Sequence, residues 1–328
     1  MLQFPGRSIG LLWGQAFNGG RTKRVTDETL AGILDLSHDW IWLHFGLSDH
    51  RARRFLADFS PAPEAARAVL LGGETRPQFH LTAHCCYGII PDIERDFEGQ
   101  SLGIGRIAFW LNGDHLVTTR LHAMRAIDGV RSQAENGHAF AAPVDVLVRI
   151  IEHFVELIEG RLLAIGIELD HFEDAVLADR DGVEQAQLGP VRRELARYHR
   201  EFAALRGALH RASVSRHNAD DSLLSPHLAH LLREVDDFHG DSAALQERAR
   251  LLYEEMDLRT AAITNRSLRA LTIISTLLLP ATFLVGAFGM NVEDIPWAHD
   301  GNGFWWAVGL CAAIVGASYW TLRKLRIL

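Results

Sequence analysis

Residues 270–288 read ALTIISTLLLPATFLVGAF, and residues 303–322 read GFWWAVGLCAAIVGASYWTL. Neither run contains a charged residue, and each has about the 20 residues that a helix needs to cross the hydrocarbon core of a bilayer. Two uncharged runs of this length predict two transmembrane helices. The alternative is a pair of helices buried in the core of a large soluble domain.

Positive residues flank the two predicted spans on one side only. Arg266 and Arg269 precede the first span, and the basic tail 323–328 follows the second, whereas the connecting segment 289–302 has no Lys or Arg. Because positive residues stay on the cytoplasmic side, both termini are expected in the cytoplasm and the connecting segment outside. No signal peptide is visible, so the N-terminal part is expected to stay on the cytoplasmic side. Together with the two spans, this predicts a multi-pass protein of the inner (plasma) membrane.

Composition excludes several other classes of protein. The formal net charge is −8 and no basic patch is present, which argues against a nucleic-acid partner. The three cysteines form no disulfide framework, which indicates a reducing compartment for the large N-terminal part. No phosphate-binding glycine loop and no Ser-His-Asp spacing is found, so we do not predict an enzyme.

One face of the first span is small and polar. Steps of three and four residues along it pass through Asn265, Leu268, Thr272, Ser275, Leu279, Thr282, Gly286 and Gly289. Such positions share one side of a helix. The stripe fits a pore lining and tight packing between membrane helices equally well. Because two spans cannot enclose an ion path alone, a pore would require a symmetric ring of subunits.

A long helix is predicted to lead into the first span. Ser225-Pro226 is a helix start signal, with Ser as the N-cap and Pro at the first helical position. Only Gly240 weakens the segment before Phe288, so the helix would form a stalk of roughly 95 Å at about 1.5 Å per residue. Apolar residues at helical spacing predict two earlier helices, over 144–180 and 191–212.

The first part of the chain mixes strands and helices. The segments 8–17, 40–47 and 79–90 have the composition of strands, and a hairpin is predicted around Asn112-Gly113. Helical patterns lie near 27–36, 49–59 and 63–71. These elements predict an α/β layer domain.

The fold class is therefore an α+β membrane protein with seven parts along the chain. They are a cytoplasmic α/β domain (1–140), a cytoplasmic helical hairpin (141–224), a stalk helix (225–269), a first transmembrane helix (270–288), an outer loop (289–302), a second transmembrane helix (303–322) and the basic cytoplasmic tail (323–328).

Two groups of residues outside the spans are candidate metal ligands. His84 precedes Cys85-Cys86, and Asp170, Glu173 and Asp174 share one helix face. The alternative is a partly buried strand for the first group and a solvated helix face for the second.

Gly289-Met290-Asn291 stands where the first span meets the outer loop, with Pro280 eleven residues before Asn291 and a second span after the loop. This arrangement resembles the CorA superfamily of divalent metal-ion transporters, whose signature is Gly-Met-Asn at this position. Trp42-Leu43-His44 and the segment 73–77 (GETRP) look like its ZntB branch of zinc transporters. Magnesium-type members also carry a Met at the position of Met290, so a Mg²⁺/Co²⁺ channel stays open as the alternative.

The resemblance implies a funnel-shaped homopentamer in a lipid bilayer, with the first span around a central pore. Gly289, Met290 and Asn291 would form the selectivity region. Apart from the resemblance, the acidic residues Glu293 and Asp294 of the outer loop are expected to attract cations to the outer mouth. The pore-lining residues would be Asn265, Leu268, Leu271, Thr272, Ser275, Leu279, Thr282 and Gly286. No resident cofactor is implied; the cargo would be Zn²⁺ ahead of Mg²⁺, with Co²⁺, Ni²⁺ and Cd²⁺ as further candidates.

A protein of another class would also fit the two spans. A membrane-anchored metal sensor or scaffold could use the helical hairpin as a tether without moving any ion.

Overall fold

The computed structural model describes residues 8–19, 21–29, 38–73, 75–95, 103–178, 185–214, 223–290 and 302–324. Its contacts divide the chain into two compact units, Met1–Arg250 and Leu251–Leu328. The finer division into seven parts stays a prediction.

The first part of the chain contains both strands and helices, and the described elements after β7 are all helices. They are β1 (Leu11–Asn18), β2 (Arg21–Val25), β3 (Trp40–Gly46), α1 (His50–Ala57), α2 (Glu64–Leu70), β4 (Gln78–Leu81), β5 (Cys86–Ile93), β6 (Ile104–Leu111), β7 (His115–Arg120), α3 (Arg125–Glu135), α4 (Pro143–Leu177), α5 (Gln185–Val214), α6 (Ser225–Phe288) and α7 (Gly303–Lys324).

The strands form one sheet in the order β2-β1-β3-β7-β6-β5-β4. Only β3 and β7 pair in parallel, and the other neighbours are antiparallel. The predicted hairpin at Asn112-Gly113 is confirmed, since it joins β6 to β7. The prediction of a single strand over 79–90 is wrong, because Thr82 and Cys85 close a turn in which the Thr82 N–H donates to the Cys85 carbonyl at 2.9 Å.

The Trp-Leu-His segment lies inside this sheet. Leu43 belongs to the apolar cluster with α1 and α2, while Trp42 and His44 lie on the opposite face of β3 because neighbouring side chains of a strand alternate. The Trp42 indole N–H donates to Thr118 Oγ1 at 3.0 Å, and His44 Nδ1 lies 2.8 Å from the same oxygen. All three side chains are fully buried. Their contacts give this segment a structural role.

Asp92 organises the start of α3. Its carboxylate accepts the backbone N–H groups of Ala126 at 2.8 Å and Ile127 at 3.0 Å, which no side chain of the helix itself caps. Burial raises the pKa of Asp92 to about 6, although the hydrogen bonds from these N–H groups lower it. A residue 34 positions upstream therefore supplies the acceptor that a helix N-terminus requires.

Three helices of the first unit pack side by side. Two contacts join α4 to α5: the aromatic pair Phe154–Phe202 and the ion pair Arg161–Glu194. Because the residue number rises along α4 as it falls along α5, these two helices are antiparallel. Glu152 contacts His230, and Asp170 contacts Arg248, at the same separation of 78 residues. This constant separation shows that α4 and the first part of α6 run parallel and in a fixed register.

Candidate ion pathway

The long helix predicted from Ser225 to Phe288 is confirmed as α6, and it continues through Gly240 and Pro280. Both predicted spans lie within helices, the first in α6 and the second in α7. In the most apolar 18-residue window of α6, no residue is buried. In the corresponding window of α7, 6% of the residues are buried. Helices of a soluble core would be mostly buried, so this alternative is wrong for the described residues.

Half-buried positions recur along one side of each apolar helix. In α6 they include Ile273, Leu277, Pro280 and Leu284, which are spaced by three or four residues. In α7 the half-buried positions are Gly303, Ala307, Cys311, Ile314, Val315 and Ser318, with Leu322 buried. A stripe of this period on each helix is typical of two helices that pack along one face.

Most of the predicted pore face lies on the other side of α6. Thr282 follows Ile273 by nine residues, which is about 180° around a helix of 3.6 residues per turn. Every predicted pore-lining residue is exposed: Asn265, Leu268, Leu271, Thr272, Ser275, Leu279, Thr282 and Gly286. An added Cβ at Gly286 would meet nothing within 4 Å. This face is therefore open along its length.

The hydroxyl groups on the open face are oriented by the helix. Thr272 Oγ1 donates to the Leu268 carbonyl at 2.8 Å, and Thr282 Oγ1 donates to the Leu278 carbonyl at 2.9 Å. A Thr hydroxyl has one hydrogen and two lone pairs. Since its hydrogen is bound to the backbone, each oxygen presents only acceptor capacity to its surroundings.

The Gly-Met-Asn segment begins directly after α6. The Gly289 N–H donates to the Val285 carbonyl at 3.0 Å and the Met290 N–H to the Ala287 carbonyl at 3.4 Å, which closes the last turn. An added Cβ at Gly289 would lie 3.2 Å from the Val285 carbonyl oxygen, closer than ordinary contact. Asn291, Glu293 and Asp294 lie outside the described residues.

The candidate metal ligands outside the spans do not form one site. His84 is exposed in the turn between β4 and β5, and Asp174 is exposed on α4. Asp170 Oδ1 and Glu173 Oε2 each accept from Arg248 Nη2 at 2.5 Å. A cation would have to displace this guanidinium from both carboxylates.

A different group of potential ligands was missed by sequence reasoning. Glu152, His230 and Glu234 place one donor atom each within 4.8 Å of one another. His230 and Glu234 are four residues apart on α6, a spacing that puts two ligands on one helix face and is visible in the sequence. Glu152 comes from α4, and only the register of α4 against α6 brings it there.

The chain combines an N-terminal α/β domain with two C-terminal helices that are long and apolar enough to cross a membrane. The model of the family described as CorA-like Mg²⁺ transporter protein matches residues 37–324, so the chain belongs to this family. The resemblance predicted from Gly289-Met290-Asn291 is therefore confirmed. The chain is a divalent cation transporter of the CorA family, which is a family of inner-membrane transporters and not of enzymes.

Two relatives and one solved structure are similar to the chain over nearly its whole length. The divalent cation transporter CmaX of Pseudomonas aeruginosa is 26% identical over 98% of each chain. The zinc transport protein ZntB of Yersinia enterocolitica is 23% identical over 92% of this chain and 96% of its own. The solved full-length CmaX superposes with a TM-score of 0.81 at 24% identity, covering 98% of this chain and 100% of that one.

A more distant structure shares the same fold. The CorA magnesium transporter of Methanocaldococcus jannaschii superposes with a TM-score of 0.66 at 17% identity, over 95% of this chain and 97% of that one. The predicted fold class, with an α/β domain, a long helix and two apolar C-terminal helices, is therefore confirmed.

Proposed function

We propose that the chain moves divalent cations, Zn²⁺ ahead of Mg²⁺, through a homopentameric pore lined by the open face of α6. One observation carries the pore: every residue predicted to line it is exposed, and most of these residues lie on the side of α6 opposite its half-buried stripe. A membrane helix that presents a polar seam away from its own partner helix requires neighbours there, and copies of the same chain provide them.

The hydroxyls suit an ion that keeps its water. Waters bound to a cation turn their oxygens inward and their hydrogens outward, so the wall must accept hydrogen bonds. The Thr272 and Thr282 oxygens do so, because their own hydrogens are bound to the Leu268 and Leu278 carbonyls. Strongly hydrated ions lose their shell reluctantly, which favours passage of the hydrated ion.

Leucines on the same face would act as gates. Leu268 and Leu279 are 55% and 69% exposed. In a ring of subunits that turns this face inward, their side chains would converge on the axis. Narrow apolar rings can close a pore to ions by excluding water. The path would thus alternate acceptor rings with apolar constrictions.

The outer mouth would combine the Asn291 ring with the acidic residues Glu293 and Asp294. The Asn side-chain carbonyl is a neutral dipole that can hold a hydrated cation through its waters, and the two carboxylates would raise the local cation concentration. Both termini would lie in the cytoplasm, because Lys and Arg flank the two spans on that side only.

The zinc assignment rests on the ZntB relatives and on Trp42-Leu43-His44. Magnesium is the second candidate, favoured by Met290 in Gly-Met-Asn and by the description of the family. Uptake of Zn²⁺ in competition with Mg²⁺, Co²⁺, Ni²⁺ and Cd²⁺ into proteoliposomes, with and without a pH gradient, decides between them. A Zn²⁺ signal that low Mg²⁺ abolishes would reverse the order.

The Asn291→Ala variant tests the pore itself. We expect it to abolish uptake while the purified assembly keeps the mass of a pentamer, because the ring at the mouth would lose its five side-chain carbonyls. Normal uptake by Asn291→Ala would remove the selectivity role of this residue. A wild-type chain that moves no ion into liposomes would instead favour the membrane-anchored sensor or scaffold.

A further inference from the structure

Outside the proposed ion pathway, α4 and α6 bring one imidazole and two carboxylates together. His230 Nε2 lies 3.3 Å from Glu152 Oε1 and 3.9 Å from Glu234 Oε2. The three donor atoms lie within 4.8 Å of one another. All three residues belong to the first compact unit.

These separations are close to those of ligands around a single metal ion. Zn²⁺ binds His nitrogen and carboxylate oxygen at about 2.0–2.2 Å in a tetrahedron, which sets neighbouring ligand atoms about 3.4 Å apart. One observed separation already has this value, and small rotations of the flexible Glu side chains shorten the others. His230 is exposed, so a water molecule can complete the coordination.

The electrostatics of the cluster also favour a cation. Glu234 Oε2 is buried and has no hydrogen-bond partner among the described residues. Burial raises the pKa of Glu234, and the neighbouring Glu152 carboxylate raises it further. The nearby His230 and Arg149 offset only part of this effect. Arg149 Nη1 donates to Glu152 Oε2 at 3.4 Å, but its shorter bonds, at 2.7 and 3.1 Å, go to Glu156.

We propose that Glu152, His230 and Glu234 bind one first-row transition-metal ion of the Zn²⁺ class and so tie α4 to α6. An imidazole with two carboxylates suits Zn²⁺, Co²⁺ and Ni²⁺, whereas Mg²⁺ prefers oxygen ligands alone. The buried oxygen of Glu234 gains the partner it lacks, and the excess negative charge is neutralised. The site is separate from the proposed pore and holds its ion without transporting it.

The same pair of helices contains a matched control. His227 lies one turn before His230 on α6, and its Nε2 is 4.0 Å from the single carboxylate of Asp145 on α4. It offers a similar His–carboxylate contact, but it is absent from the three-donor group. A change at His227 therefore alters the helix surface without removing a proposed ligand.

Metal content of the full-length chain in detergent tests the proposal. The chain is stripped with a chelator, equilibrated with Zn²⁺ in excess Mg²⁺ that occupies sites for hydrated ions, desalted and analysed for zinc. We expect His230→Ala and Glu234→Gln each to lose one zinc per chain, and His227→Ala to lose none. Equal zinc in wild type, His230→Ala and Glu234→Gln, or the same loss in His227→Ala, would overturn the site.

Transport is measured separately on the same proteins. A chain that holds the His230-dependent zinc but moves no ion into liposomes would overturn the proposed function and leave this site intact. A chain that transports Zn²⁺ but shows no His230-dependent zinc would overturn only the site.

Discussion

The variant Thr282→Val tests whether the open face of α6 carries the ion. Val has the branched shape of Thr but no oxygen, so the substitution removes the hydroxyl acceptor with little change in volume. In the structure, Thr282 Oγ1 donates to the Leu278 carbonyl at 2.9 Å and presents its lone pairs outward. Thr276 makes the same bond, to the Thr272 carbonyl at 2.8 Å, but lies on the half-buried side of the helix.

The expected size follows from the hydrogen bonds that the passing ion would lose. A hydrogen bond contributes about 0.5–1.5 kcal/mol net. If the hydration shell contacts two or three hydroxyls of a five-fold ring, the barrier rises by about 1–4 kcal/mol. At about 1.4 kcal/mol per factor of ten, uptake slows by roughly 5- to 1,000-fold. The lost bond to the helix backbone cancels in the comparison, because Thr276→Val loses the same one.

The assay is the initial rate of Zn²⁺ uptake into liposomes that contain equal amounts of assembled protein. We expect Thr282→Val to be at least fivefold slower than Thr276→Val, and Thr282→Ser to recover most of the rate because it restores the oxygen. Equal rates for the two Val variants would refute the reasoning. A larger loss in Thr276→Val would place the ion path on the side of α6 that carries Thr276.

Two further predictions concern the outer loop and the first unit. Glu293→Gln combined with Asp294→Asn should lower uptake at low metal and low salt, where local charge matters most, and unchanged uptake would reject their role in attracting cations. Burial lowers the pKa of His44 well below its ordinary value, so the unfolded chain takes up the proton first as the pH falls. The contribution of neutral His44 to the free energy of unfolding is therefore fully present above about pH 6.5. Below that pH, the free energy of unfolding falls by up to about 1.4 kcal/mol per pH unit. Thermal unfolding of the full chain in detergent at pH 7.5 and 5.5 should show this loss, and His44→Gln should reduce it; an equal loss in both would contradict it.

The long elements could be predicted because their signals are local. The start of α6 at Ser225, its continuation to Phe288 and the second span follow from the Ser-Pro start signal, periodicity and the absence of charge. The N-cap role predicted for Ser225 is wrong, because Ser225 belongs to α6 and its buried Oγ has no hydrogen-bond partner among the described residues. β2 was missed, because Arg21–Val25 carries three cationic residues and lacks the alternation of a half-buried strand. Charge of this kind suits β2, which is the edge strand of the sheet that the described residues form.

The missed helix α3 shows a second limit. Met124, at its N-cap position, makes no side-chain cap, so the sequence around Arg125 carries no start signal. The acceptor comes instead from Asp92, which the sheet brings to the helix end. A cap that comes from a distant strand cannot be predicted from the residues next to the helix in sequence.

The cluster on α4 and α6 was missed for a related reason. The sequence places His227 and His230 on one helix face, and both appear equivalent there. The register of α4 distinguishes them, because it puts Glu152 beside His230 and leaves His227 with a single carboxylate. Only a contact across 78 residues identifies which histidine is the candidate ligand.

The open face of α6 needs other copies of the chain to cover it, and this need connects assembly to transport. Within the described residues, α6 and α7 each have one half-buried side, so the two helices of one chain leave the seam through Ser275, Leu279 and Thr282 uncovered. Hydroxyls facing lipid would find no hydrogen-bonding partner other than their own backbone, whereas a ring of copies gives them water and an ion. The same exposed seam therefore favours both the oligomer and the path, and a stable monomer in the bilayer would contradict the two together.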